Sequence, residues 1–311
     1  MTVRVGAGSL DRSVKVGSLT FTNPVMTASG TSGHGRELMP YGDLDSLGAV
    51  VVKSLAPYAW AGNPPPRVHP TPHGMINAVG LQGPGVLAWL RDDLPALADT
   101  GARVVASIWG RSVADYAAAA EQLAGAGPEV VAVEVNLSCP NLEGRRGIFA
   151  HDAELSAQVI RATDVCGRPR WAKLSPNTDH LIDVADAVHS AGAEAVTLIN
   201  TLLGFVIDPA TLGPALGNGG GGLSGRAIHP VAVRAVFDVH QALPGLPIVG
   251  VGGVASGWDA AELMLAGASA VQVGTATFAD PRAPWKVLDE LCSWAAREGI
   301  DSLCALTGSC R

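Results

Sequence analysis

Clustered positive charge is what this chain lacks most plainly. Lys, Arg, Asp and Glu make up 16% of 311 residues, the net charge is −7, and no basic run or Lys/Arg stripe occurs. The electrostatic footprint of a nucleic-acid-binding protein is therefore missing. No apolar run reaches the roughly 18 residues of a membrane span. Met1 to Leu10 carry neither the basic start nor the apolar stretch of a secretory signal, so a soluble, cytoplasmic protein is the expectation. Cysteine is sparse: Cys139, Cys166, Cys292, Cys304 and Cys310 are widely spaced and include no CxxC. The odd count argues against a disulfide framework. No metal site is expected, neither zinc nor an iron–sulfur cluster held by this chain alone. The histidines form no HExxH pattern, and none stands beside Cys139, which leaves a Cys/His protease pair without local support.

What is present is apolar and periodic. Hydrophobic residues make up 48% of the chain, and its 38 glycines and 21 prolines are dispersed as punctuation, with no linker. Short β-branched or apolar runs alternate with longer Ala/Leu-rich stretches of helical period, which is the βα pattern. The strand-like runs are Pro24–Ser29, Ala49–Ser54, Arg103–Trp109, Val130–Asn136, Arg170–Leu174, Ala195–Asn200, Pro247–Gly252 and Ala270–Thr275. Helical stretches include Ser112–Ala126, Ala153–Cys166, Asp179–Ala191, Pro230–Leu243, Gly257–Ala266 and Ala283–Glu298. Eight such units with right-handed crossovers close into a (β/α)8 TIM barrel, an α/β fold of about 250 residues before insertions. One domain over 1–311 is expected, with Val14–Thr22 as a short hairpin across the barrel bottom. The connections Leu55–Pro84 and Leu202–Leu223 are longer than their neighbours, and the second holds Gly219-Gly220-Gly221-Gly222. Long loops at the active face of a barrel are usually lids or ligand cradles; a surface insertion is the alternative.

Barrels keep their chemistry at the C-terminal ends of their strands, and polar residues gather there. The fourth run ends in Asn136-Leu137-Ser138-Cys139, followed by Pro140-Asn141. The amides suit the orientation of a planar, hydrogen-bonding substrate, and the thiol suits proton transfer. An inert buried thiol is the competing reading. The last two runs end in Gly250-Val251-Gly252-Gly253-Val254 and Gly274-Thr275, where barrels commonly bind phosphate through bare backbone N–H groups. Gly250-x-Gly252-x-x-Ala255 also satisfies a dinucleotide fingerprint, but no acidic residue lies about 20 residues on, and the motif sits in the seventh unit. Tight-turn glycines with no ligand are the bland alternative. Lys53 ends the second run, and Lys173 sits within the apolar fifth. A lysine inside a barrel strand costs desolvation unless a partner is near: an anionic ligand, or an internal ion pair with a residue such as Glu134. Asn77, Asn136, Asn141 and Asn200 add amides, each of which is also suited to capping a turn.

Together these motifs resemble those of class 1 dihydroorotate dehydrogenases. The resemblance is carried by Asn136-Leu-Ser-Cys139-Pro-Asn141, Asn77-Ala-Val-Gly-Leu81-Gln, Lys173-Leu-Ser-Pro-Asn, Asn200-Thr-Leu-Leu-Gly204, Gly222-Leu-Ser-Gly225, Gly252-Gly253-Val and Gly274-Thr275. It runs from about Val14 to Ser302. It is nearest to the class 1B catalytic subunit, through Gly62-Asn-Pro-Pro-Pro-Arg67, Thr201–Asp208 and Gly222–Pro230. The resemblance implies one FMN per chain and oxidation of (S)-dihydroorotate to orotate in pyrimidine synthesis. It implies that Cys139 is the base for the C5 proton, with hydride passing from C6 to the flavin N5. A thiol ordinarily titrates at about 8.5 and is open to tuning toward neutrality; class 2 relatives carry serine there. By the same resemblance, FMN would contact Ser29, Lys53, Ser54, Ser107, Asn136, Lys173, Ile199, Gly225, Gly252, Gly253, Gly274 and Thr275. Substrate would contact Lys53, Asn77, Ala78, Val79, Gly80, Leu81, Asn136, Asn141, Asn200 and Thr201, and Pro140–Phe149 would close over the site.

The resemblance further implies a second subunit carrying FAD and a [2Fe–2S] cluster, which passes electrons to NAD+, in a heterotetramer around a homodimeric core. Three readings compete: a self-sufficient homodimer that reduces fumarate, an FMN oxidoreductase of another dihydropyrimidine, and a barrel retained as a binding or scaffold protein. The chain departs from the family pattern at Ser107, where many relatives carry Asn, and in the glycine richness of Gly219–Gly222. His229 and Arg226 stand where Lys and Pro are expected.

Overall fold

Runs buried on both faces should become parallel strands, and eight of them do. The computed structural model describes residues 10–138, 140, 141 and 147–310, with 140, 141, 147 and 148 as backbone only. The strands are β1 (Val25–Thr27), β2 (Val50–Val51), β3 (Val104–Ile108), β4 (Val130–Asn136), β5 (Arg170–Lys173), β6 (Ala195–Leu198), β7 (Ile248–Val251) and β8 (Ala270–Val273). Each pairs in parallel with its neighbours in sequence, and β8 pairs with β1. Between β1 and β2, Thr27 N–H donates to the Ala49 carbonyl at 3.2 Å and Gly48 N–H to that of Val25 at 2.8 Å, which completes the ring. Only two residues of the expected Ala49–Ser54 run keep a regular ladder. Beyond them the chain bends out to the rim, still tied by Leu55 N–H to the Ser107 carbonyl at 2.9 Å.

Helices return the chain along the outside. Val113–Ala124 buries Tyr116, Ala119, Ala120 and Leu123, a single stripe of helical period. Ser112, Asp152 and Ser256 each accept a hydrogen bond from a backbone N–H of the following helix's first turn, the role for which short polar residues are favoured at that position. The hairpin of Val14–Val16 and Leu19–Phe21 forms as expected. Its Phe21 lies edge-on to Trp171 near the start of β5, ring centroids 5.9 Å apart, so it covers the N-terminal end of the barrel. The two long connections are less loop-like than their composition implies. They join in a four-stranded antiparallel sheet ordered Leu202–Gly204, Gly221–Ser224, Gly74–Asn77 and Val68–Thr71, at the opposite end from the hairpin.

Candidate active site

A cavity of about 650 Å³ opens at the C-terminal ends of the strands, within the range of roughly 300–1,000 Å³ typical of small-molecule sites. Ser29 follows β1, Lys53 and Ser54 follow β2, Asn136 ends β4 and Lys173 ends β5. Ile199 to Thr201 follow β6, Gly252 and Gly253 follow β7, and Gly274 and Thr275 follow β8; all of these line it. The four-stranded sheet and its approaches supply the roof, through Asn77, Ala78, Val79, Gly80 and Leu81, with Gly222 and Gly225 behind them. Ser107 of β3 is the exception among the expected contacts. It is fully buried beneath Ser54, bonded Oγ to Oγ at 2.8 Å, and does not line the cavity; it supports a residue that does. Cys139 lies outside the described residues, as does the side chain of Asn141. Of the Pro140–Phe149 segment, the described backbone pairs Pro140–Asn141 with Gly147–Ile148.

One wall is a relay of side-chain hydrogen bonds. Ser29 Oγ meets Ser54 Oγ at 3.2 Å, Asn136 Nδ2 donates to Ser54 Oγ at 3.2 Å, and Asn200 Nδ2 donates to Asn136 Oδ1 at 3.3 Å. Asn136 Oδ1 also accepts from Ser138 N–H at 3.2 Å, and the Asn136 carbonyl accepts from the buried Tyr116 hydroxyl at 2.6 Å. The amide is thus fixed in place by groups from β2, β6 and a flanking helix, as a site that must present donors and acceptors in a set direction requires. The roof is pinned similarly. Trp60 Nε1 donates to the Gly80 carbonyl at 2.9 Å, and Asn63 Nδ2 to the Ala78 carbonyl at 3.1 Å.

Two lysines give the cavity positive charge. Burial, with a contribution from nearby Arg67, pushes the Lys53 ammonium below the usual lysine range, against an opposing effect of Glu37. Among the described residues no carboxylate pairs with Lys53 Nζ within 4.0 Å. Lys173 is different: its Nζ lies 3.5 Å from Oε1 of the buried Glu134. The internal ion pair weighed from the sequence is therefore present, and Lys173 lines the cavity as well.

At the far end the wall is backbone. Gly225, Gly252 and Gly253 have φ of 96°, 136° and 72°, a region that side chains disfavour. A Cβ on Gly253 would lie 2.7 Å from His229 Cβ and 2.9 Å from the Gly225 carbonyl oxygen, so the three strands of chain approach closely only because that atom is missing. His229 Nδ1 donates to the Gly252 carbonyl at 2.8 Å while its Nε2 faces Glu262 Oε2 at 3.1 Å. Thr275 Oγ1 donates to Ser224 Oγ at 2.8 Å. A bare, hydrogen-bonded glycine cradle of this kind suits a phosphate. It fits the phosphate end of FMN, while the lysines and amides fit the polar edge of the flavin ring. Tyr116 carried no signal in the sequence; His229 stood out only as a departure from the family pattern, and Asn63 and Ser224 only as members of motifs, with no role of their own.

Comparison with known proteins agrees with this geometry. The sequence model of the family described as dihydroorotate dehydrogenase matches residues 12–294. The chain is 48% identical over 297 residues to a protein of Desulforudis audaxviator named dihydroorotate dehydrogenase B (NAD(+)), catalytic subunit, covering 95% of this chain and 96% of that one. Proteins of the same name from Geotalea daltonii and Alkaliphilus oremlandii are 44% and 43% identical, covering 96% and 95% of this chain and 98% and 97% of theirs.

Proposed function

The chain belongs to the dihydroorotate dehydrogenase family, and from that premise we propose that it is the catalytic subunit of an NAD+-linked dihydroorotate dehydrogenase. It oxidises (S)-dihydroorotate to orotate in pyrimidine synthesis. The observation that carries this reading is the convergence of Lys53, Asn77, Asn136, Lys173 and Asn200 on one cavity whose other end is a glycine cradle.

Bound FMN supplies the hydride acceptor. The chain's residues do the rest. Backbone N–H groups at Gly225, Gly252, Gly253, Gly274 and Thr275 would receive its phosphate, and Ser29, Ser54, Asn136, Lys173 and Ile199 would hold the ring, with Ser107 behind Ser54. The Lys53 ammonium meets the substrate carboxylate, whose charge its lowered proton affinity makes valuable to it. Asn77, Asn136, Asn141, Asn200 and Thr201, with the Ala78–Leu81 backbone, engage the planar amide groups of the substrate ring. Cys139 takes the proton from C5. A single domain over 1–311 carries this half-reaction in the cytoplasm. A partner subunit with FAD and a [2Fe–2S] cluster carries electrons on to NAD+, in a heterotetramer around a homodimer of this chain.

The test is anaerobic mixing of the yellow, FMN-loaded chain with dihydroorotate while the visible flavin band is followed. Prompt bleaching is expected. In Cys139→Ala, bleaching should be nearly abolished while FMN stays bound. Bleaching at the wild-type rate in that variant would remove Cys139 as the base, and no bleaching of a loaded wild-type chain would mean another substrate or a site that needs its partner subunit to become competent.

A further inference from the structure

One carboxylate inside the barrel has no part in the chemistry above. Glu134 is 0% exposed, within the apolar run of β4. Barrel side chains stack in layers drawn from alternate strands, and Glu134 meets Thr197 of β6 and Gln272 of β8. Thr197 Oγ1 donates to Glu134 Oε2 at 3.2 Å, and Gln272 Nε2 donates to the same oxygen at 2.8 Å. These neutral donors anchor the carboxylate by one oxygen. The other, Oε1, faces Lys173 Nζ at 3.5 Å, at the floor of the cavity. A buried carboxylate among apolar residues is strongly disfavoured without partners, and a well-packed apolar side chain in its place is often neutral or stabilising. Its value to the barrel therefore lies in what it does to Lys173.

We propose that Glu134 is a positioning residue: anchored by Thr197 and Gln272, it holds Lys173 as an ammonium at the cavity floor both before and after the cofactor is reduced. This rests on FMN occupying the cavity. A fixed ammonium beside the ring stabilises the negative charge that reduction adds. Already charged, it binds no further proton in the process. Among the described residues no other carboxylate pairs with Lys173 within 4.0 Å, and its register neighbours, Thr197 of β6 and Asn136 of β4, are uncharged. The other cation of the cavity is Lys53 beyond β2. With Glu134 replaced by glutamine, the shape of the pocket is kept but burial favours the neutral amine. Lys173 then becomes charged only when reduction brings negative charge beside it.

The readout is the number of protons taken up with two electrons, seen as the slope of the flavin midpoint potential against pH. Each proton contributes about 30 mV per pH unit in a two-electron couple. Between pH 7 and 9 the FMN-loaded wild type should show the slope of one proton. Glu134→Gln should show up to one more, with the extra slope absent from Glu134→Gln/Lys173→Gln. Glu134→Asp, which keeps the charge, should return toward the wild-type slope. A Glu134→Gln slope equal to wild type overturns the inference, as does an extra slope that persists without Lys173. Should the glutamine variant fail to fold, the wild type still decides: a two-proton slope that falls to one in Lys173→Gln would show that Lys173 is not held charged. A chain that takes up no FMN overturns the cavity reading and this inference together, whereas a loaded chain with unchanged slope overturns this inference alone.

Discussion

Lys53 is held in the cavity wall where burial and Arg67 oppose its charge more than Glu37 supports it, and among the described residues no carboxylate forms an ion pair with it. Its ammonium is present below its lowered pKa and lost above it. An anionic ligand such as orotate should therefore bind well near neutrality and lose affinity on the alkaline side earlier than an ordinary lysine would dictate. Replacing a charged hydrogen-bond donor costs about 1.5–3 kcal/mol, so Lys53→Gln should weaken orotate by roughly tenfold or more and flatten the alkaline decline. A titration of orotate against the flavin spectrum from pH 7 to 10 measures both; a variant that keeps the wild-type pH profile would remove Lys53 from the site. Lys53 and Lys173 were visible in the sequence as charges where apolar residues were due. Their difference was not. Whether a barrel lysine faces a ligand or a carboxylate depends on which layer that carboxylate occupies, and Glu134 is brought to Lys173 by strand register, with Trp171 opposite Glu134 and Lys173 opposite Asn136.

At the scale of elements, the barrel strands were legible because local pattern and final burial coincide: Val130–Asn136 is both an apolar run and, residue for residue, β4. The roof sheet was not legible. Its strands are three or four residues long, one begins with two glycines, and Gly222 pairs with Asn77 across 145 residues of chain. No short-range periodicity announces such a pairing. The composition that reads as loop is here a packing requirement, since a Cβ on Gly222 would overlap the Thr201 side chain. Gly222→Ala must displace either Thr201 or the sheet, at an overpacking cost of about 1–3 kcal/mol. The overlap falls on Thr201 at the substrate end of the cavity, two residues before the strand reaches Ser224 and the glycine cradle. The variant should therefore keep its FMN while kcat/KM for dihydroorotate falls by up to roughly a hundredfold, the scale of an ångström's misplacement. Loss of FMN with unaltered kinetics of the remaining holoprotein would contradict this division of the cavity.

At the scale of the whole molecule the question is how far electrons would travel within this chain. The dinucleotide-like stretch at the end of β7 is already used: Gly252 and Gly253 line the cavity, while a Cβ on Gly250 would crowd Leu263 and Ala268 on the helical side. The four described cysteines are free, with Cys166 buried and Cys304 and Cys310 exposed at the C-terminal end of the chain. Among the described residues no cluster of His, Cys, Asp or Glu is arranged to hold a metal. A dinucleotide site needs an adenosine-binding half beside its pyrophosphate cradle, and the proposed division of labour assigns that half to a partner. The isolated chain should therefore complete the reductive half-reaction, pass electrons to an artificial dye, and form NADH no faster than a control lacking the chain. Supplying the proposed electron-transfer subunit should restore NADH formation without changing the rate of flavin bleaching by dihydroorotate, because the residues proposed to hold substrate belong to this barrel. Rapid NADH formation by the chain alone would refute the division of labour. Turnover with fumarate in place of NAD+ would show instead that the barrel is self-sufficient, exchanging substrate and acceptor at the one cavity.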